Sequence, residues 1–166
     1  MLSRIANQTN NSRKSGQSLV ELSVGLVFMI PILFLMLNCL FVAIGASLNE
    51  FVSRDAARAA ASGAPSALRV GTNRTVRNGT PKDRVSAVIS KVYYSGLPMK
   101  IRQDATIVET VRDVPPPSDG GAIDGEVTVT TTIDIYPPAQ ILGFGSAVVL
   151  KSKHSMPITY MRRAES

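Results

Sequence analysis

Hydrophobic positions are massed in the first third of this chain and alternate with polar ones in the last third. From Leu22 to Asn49 no charged residue occurs, roughly 28 positions where a helix needs about 20 to cross a bilayer core. The stretch "LVFMIPILFLMLNCLFVAIGA" is apolar all round, so it predicts a membrane span and not the face of a soluble helix. It is also too long for a secretory leader's apolar region, and no Ala-x-Ala-like cleavage site follows within the usual reach of one. Pro31 removes one helical hydrogen bond and predicts a kink near residues 27–31. Asn38 is expected to bond to a neighbouring helix or to its own backbone.

Past the apolar run, "SLNEFVSRDAARAAASG" is rich in helix formers. A continuous helix is predicted from about Gln17 to Ala61, roughly 65 Å long, with a stop at Ser62-Gly63-Ala64-Pro65. Phe51, Val52, Ala56, Ala59 and Ala60 are the residues expected to pack it against a head. Residues 63–80 read as a loop. A short helix follows, with Thr80 as N-cap, Pro81 at its first position, Val85, Val88, Ile89 and Val92 at helical spacing, and Gly96 and Pro98 at its end.

The remainder alternates. "MKIRQDATIVETVRD" reads as one imperfect strand and "VPPPSDGGAIDG" as a turn-rich connector. "GEVTVTTTIDIYPP" places Val127, Val129, Thr131, Ile133 and Ile135 on one face and Thr128, Thr130, Thr132 and Asp134 on the other. "AVVLKSKHSMPITYMRR" is a last strand. The fold class is therefore α+β: a long N-terminal transmembrane helix, then a small head of one short helix and about three antiparallel strands. Three regions follow: a cytoplasmic leader over 1–16, the spanning and continuing helix over 17–62, and the head over 63–166.

Charge fixes orientation. Of the net +6, three charges (Arg4, Arg13 and Lys14) precede the span with no acid among them. That asymmetry keeps the N-terminus cytoplasmic and sends the head outward. No basic cluster remains for a phosphate backbone, so nucleic acid is not an expected partner. Cys39 is the single cysteine and can form no intramolecular disulfide.

No catalytic constellation is visible, and no cofactor or metal is expected. His154, the only histidine, has no acid or nucleophile motif beside it. "GFGSAVV" and "DGGAIDG" match neither phosphate-loop pattern. "DGGAIDGE" lacks the regular ligand spacing of a calcium loop. Asn-x-Ser/Thr triplets begin at Asn7, Asn10, Asn73 and Asn78, the first two on the cytoplasmic side.

One feature needs a reason. In "RKSGQSLVELSVG" a single acid, Glu21, stands at the mouth of the apolar helix, where a plain anchor would be cheaper without it. A basic leader, Gly16, and a glutamate five residues on resemble the prepilin-peptidase site of type IV pilin-like proteins. The closer resemblance is to the TadE-like pseudopilins of the tight-adherence (Tad/Flp) pilus system. It rests on "GQSLVELSVGLVFMIPILFLML", on "SRDAARAAASG", and on "VTVTTTIDIYPP…ILGFGSAVVLKSKHSMPITYMR". Residues 63–120 match nothing specific, and Leu22 departs from the aromatic residue often found after the glutamate in Tad pilins.

The resemblance implies cleavage between Gly16 and Gln17, which makes Glu21 the fifth residue of the mature chain. The new ammonium at Gln17, once buried in a filament, is costly unless paired. Glu21 on a neighbouring subunit can pair with it and set the axial register. The implied partners are a prepilin peptidase, a TadF-like pseudopilin, the major Flp pilin, the inner-membrane assembly platform and the lipid bilayer. The implied place is the bacterial inner membrane or a pilus, and the implied role is pilus assembly and adhesion. Two other readings use the same residues: a signal-anchored envelope binding module that never enters a filament, and an anchored enzyme, which would need a convergent polar site in the head.

Overall fold

The computed structural model describes residues 2–68, 70–71, 74–92, 98–138 and 146–164, with side chains from Ser18 onward. A helix, α1 (Leu2–Ala61), is followed by β1 (Arg74–Val76), α2 (Thr80–Lys91), β2 (Met99–Ile101) and β3 (Thr106–Asp113). Then come β4 (Gly121–Ala122), β5 (Asp124–Ile135), β6 (Val148–Pro157) and β7 (Met161–Arg162). The chain divides into two compact units, residues 1–40 and residues 41–166.

The first unit is the helical N-terminal segment. Its helix begins at Leu2 and not near Gln17, so the basic leader is helical as well. Pro31 lies inside it. Every side chain from Ser18 to Leu33 is exposed, including Leu19 at 66% and Phe28 at 67%. Each large apolar side chain left in water forgoes about 1.5–3 kcal/mol of burial, so this helix is built for a non-aqueous surround. By length and composition it is one candidate membrane span near the N-terminus.

The second unit is an α+β head. The rest of α1 buries Gly45, Asn49, Val52, Ser53, Ala56, Ala57, Ala60 and Ala61, which recur at the three-and-four spacing of a single helix face. Three of the five residues expected to pack against the head do so. Val52, Ala56 and Ala60 are in the core, whereas Phe51 is 57% exposed and Ala59 is only partly buried. The face is made of small residues because the helix lies close on the sheet. A Cβ on Gly45 would run into Cδ1 of Ile135 and lie 2.8 Å from its Cγ1.

The main sheet is antiparallel, with β5 at its centre. β6 pairs along one edge of β5 from Glu126↔Pro157 to Ile135↔Val148. β3 and β2 share the other edge, at Thr106↔Thr130 and Met99↔Ile135 respectively, and β1 adds outside β3. The single strand expected over 99–113 is thus two. The Arg102 N–H still donates to the Thr132 carbonyl at 2.9 Å, after which the chain leaves the ladder until Thr106. β1 arises inside the expected loop. β4 and β7 form a separate two-stranded ribbon, so the sheet content exceeds the three strands expected.

β5 has the predicted faces: Val127, Val129, Thr131, Ile133 and Ile135 are buried, and Thr128, Thr130, Thr132 and Asp134 are half-buried. α2 buries Pro81, Val85 and Ile89. Its N-cap is Gly79 and not Thr80. Gly79 has φ of 112°, which favours glycine, and its carbonyl accepts the N–H groups of Lys82 and Asp83. The Thr80 hydroxyl instead donates to the Ala64 carbonyl at 3.4 Å. α2 ends at Lys91, and the expected stop at Gly96 lies outside the described residues.

The C-terminal end of α1 is closed carbonyl by carbonyl. Arg58 O accepts Ser62 N–H, while Ala59 O and Ala60 O accept the Arg84 guanidinium at 2.9 and 2.7 Å. Ala61 O accepts both the N–H and the hydroxyl of Thr159. These are the groups a helix end leaves without an intrahelical partner.

Candidate functional site

Gly16 and Gln17 immediately precede the candidate membrane span, which starts at Ser18. The Gly16–Gln17 bond lies in the helical backbone of α1. A glycine there lowers local helix stability by about 1 kcal/mol relative to alanine, which eases unwinding at that bond. Glu21 is exposed on the helix surface, one turn beyond Gln17. Two residues on, the Ser23 hydroxyl donates to Leu19 O at 2.8 Å, so that polar group is satisfied within the helix. Asn38 is half-buried and Cys39 exposed.

In the head, several polar side chains are buried. Asn49 and Thr131 are 1% and 0% exposed. The Thr131 hydroxyl donates to Asn49 Oδ1 at 2.8 Å, and Asn49 Nδ2 donates to Leu150 O at 3.2 Å and Thr131 O at 3.5 Å. One turn on, the Ser53 hydroxyl reaches Ser152 O at 3.2 Å and Val129 O at 3.3 Å. Asn49 and Ser53 therefore clip α1 to both β5 and β6. Glu109 is also buried, between Ile107 and Val111 on β3. Its Oε2 accepts the Ser66 N–H at 2.9 Å and the Ser66 hydroxyl; its Oε1 has no hydrogen-bond partner among the described residues. Strand parity could have found it, since Ile107, Glu109 and Val111 share a face.

At the surface, Arg102 grips Asp134 through two parallel hydrogen bonds, 2.9 and 2.8 Å long. The guanidinium holds the Asp134 carboxyl below the usual carboxylate range, first through this hydrogen bond and against the opposing effect of burial. The same bond raises the Arg102 pKa. His154 on β6 lies 3.9 Å from Glu50 on α1. A cleft of about 490 Å³ opens between the end of α2 and β2, lined by Leu48, Ile89, Val92, Met99, Ile101 and Ile133. Among the described residues no group of histidine, cysteine or acidic side chains is arranged to hold a metal ion.

No family model, no curated protein and no solved structure matches this chain. Its function is accordingly read from its own residues. The structure keeps Gly16, Gln17, Glu21 and Pro31 on one helix, and the buried polar groups of the head hold the head's own fold together.

Proposed function

We propose that this chain is a TadE-like minor pilin of a Tad/Flp-type pilus, anchored in the bacterial inner membrane and processed after Gly16. The observation that carries this reading is Glu21. It is the one acid before Glu50, exposed at the start of a long apolar stretch and five residues past a glycine and a basic leader. A plain anchor has no use for it, whereas a helix that moves from bilayer to filament core does. Cleavage frees an ammonium at Gln17, and Glu21 of a neighbouring subunit neutralises it at a fixed axial offset. Arg4, Arg13 and Lys14 hold the leader in the cytoplasm, where the peptidase cuts, and the head then faces the periplasm. The helix also runs on into the head, where Asn49 and Ser53 fasten it to the sheet. A subunit drawn along by its helix would thus carry its head with it. In this reading the chain joins a TadF-like pseudopilin, the major Flp pilin and the assembly platform, and the assembled pilus serves adhesion.

The test is intact-mass analysis of the chain isolated from cells with and without a cognate prepilin peptidase. The expected mature chain starts at Gln17; a chain that keeps Met1 in both overturns the reading. Glu21→Ala separates it from a signal-anchored binding module, because only a filament subunit loses incorporation.

A further inference from the structure

The two outer strands of the main sheet differ. β1 has three residues, whereas β6 has ten and pairs only with β5 among the described residues. No residue of β6 is buried, although alternate residues of β5 beside it are. In an antiparallel ladder every second residue turns its N–H and C=O away from its partner strand, so β6 presents a row of them on its outer side. Long open edges recruit further strands unless something prevents it.

The side chains decide which strands are admitted. On the solvent face β6 carries Lys151 and Lys153, both exposed and in no ion pair among the described residues. On the helix side it carries Val148, Leu150, Ser152, His154 and Met156, all only half-covered. A second copy added about a two-fold axis at Ser152 sets Lys151 opposite Lys153 twice over. Moving the axis to either lysine sets that lysine opposite itself. Like charges facing each other across a ladder are destabilising. In these registers a second copy is disfavoured, while a strand with acids at two alternate positions and apolar residues between them satisfies both faces.

We infer that the outer edge of β6 is a docking site for an extended segment of another protein, added as an antiparallel strand, with acids opposite Lys151 and Lys153 and apolar side chains covering the Leu150–Met156 row. Main-chain hydrogen bonds supply the attraction and the lysine pair the selection. The site belongs to the head alone and does not depend on the pilin reading.

The test uses the full-length chain in detergent micelles. It is titrated with the capped peptide VTVEVEVTV and with its counterpart VTVKVKVTV, and backbone amide shifts are followed. The acidic peptide is expected to perturb β6 and to bind roughly tenfold tighter than the basic one, with the preference reversed in K151E/K153E. Both lysines are exposed and unpaired, so the variants should fold as the parent does. K153E alone makes the homotypic pairing complementary and is expected to self-associate more than either the parent or the double variant, as sedimentation would show. Equal binding of the two peptides, shifts confined to other elements, or unchanged sedimentation of K153E overturns the assignment.

Discussion

The hydroxyl of Thr131 and the carboxamide of Asn49 are joined by a 2.8 Å hydrogen bond in the interior of the head. It links the centre of the sheet to the helix at a point where neither residue reaches solvent. A buried polar group deprived of its partner costs about 1–3 kcal/mol, more than the bond itself contributes net. Asn49→Ala is therefore expected to destabilise the head by about 2 kcal/mol, as does Thr131→Val in part, because Asn49 keeps its carbonyl contacts. Denaturant unfolding of the two single variants and the double variant checks this, and a non-zero coupling energy is the expected outcome.

Gly45→Ala tests how closely α1 lies on β5. Alanine gains about 1 kcal/mol of helix propensity, but overpacking a rigid core costs about 1–3 kcal/mol. Ile135 is fully buried and has little room to move aside. A net loss of about 1 kcal/mol is expected, reduced when Ile135→Val removes the Cδ1 methyl. A Gly45→Ala variant as stable as the parent would show that the helix can lift from the sheet.

Arg102 and Asp134 make the head acid-sensitive. The folded Asp134 pKa is depressed, so the contribution of this pair is present above the carboxyl's unfolded value of about 3.9. It is lost as pH falls through the folded value. Asp134→Asn should lower Tm at pH 6 and converge with the parent as pH falls from about 3.9 through the depressed folded value. Parallel Tm curves across that window would remove the pair from the account.

Glu21→Ala should leave insertion, cleavage after Gly16 and head stability unchanged while abolishing recovery of the chain in sheared pili. Glu21→Gln should behave the same way, because the proposed role needs the charge and not the shape. Immunoblots of sheared and membrane fractions read both outcomes, and normal recovery of either variant counts against ammonium pairing.

The parts of the fold that periodicity could announce are those where one kind of contact decides. β5 alternates because one face is dry, and the apolar run of α1 carries no charge over a length that fits a membrane span. Where two effects compete, the pattern misleads. Asn49 and Ser53 look like breaks in a helical stripe, yet they are buried because the carbonyls beneath them accept their hydrogen bonds. Phe51 looks like a core residue, yet it falls off the helix face formed by Gly45, Asn49, Val52, Ser53 and Ala56. Thr80 looks like a cap, but the φ of Gly79 takes that place. β1 has three residues, too few to show a period. Of the candidate site, the sequence places Gln17, Glu21 and Pro31 along one helix, as the structure does, whereas the helix also takes in Gly16, ahead of its expected start. It was silent on Glu109 with Ser66 and on the grip of Arg102 on Asp134, which depend on residues distant in the chain.

The closed C-terminal end of α1 has a mechanical consequence. Arg84 from α2 and Thr159 from beyond β6 both hold the last carbonyls of the helix, and Asn49 and Ser53 hold its flank. Tension applied along the axis of this helix segment is shared among bonds that must shear together and cannot peel one at a time. A head fastened in this way yields abruptly at high force, whereas one hinged at Ser62–Gly63 alone would stretch gradually. Single-molecule pulling on the head through α1 should show one rupture peak for the parent and earlier, stepwise yielding for Arg84→Ala.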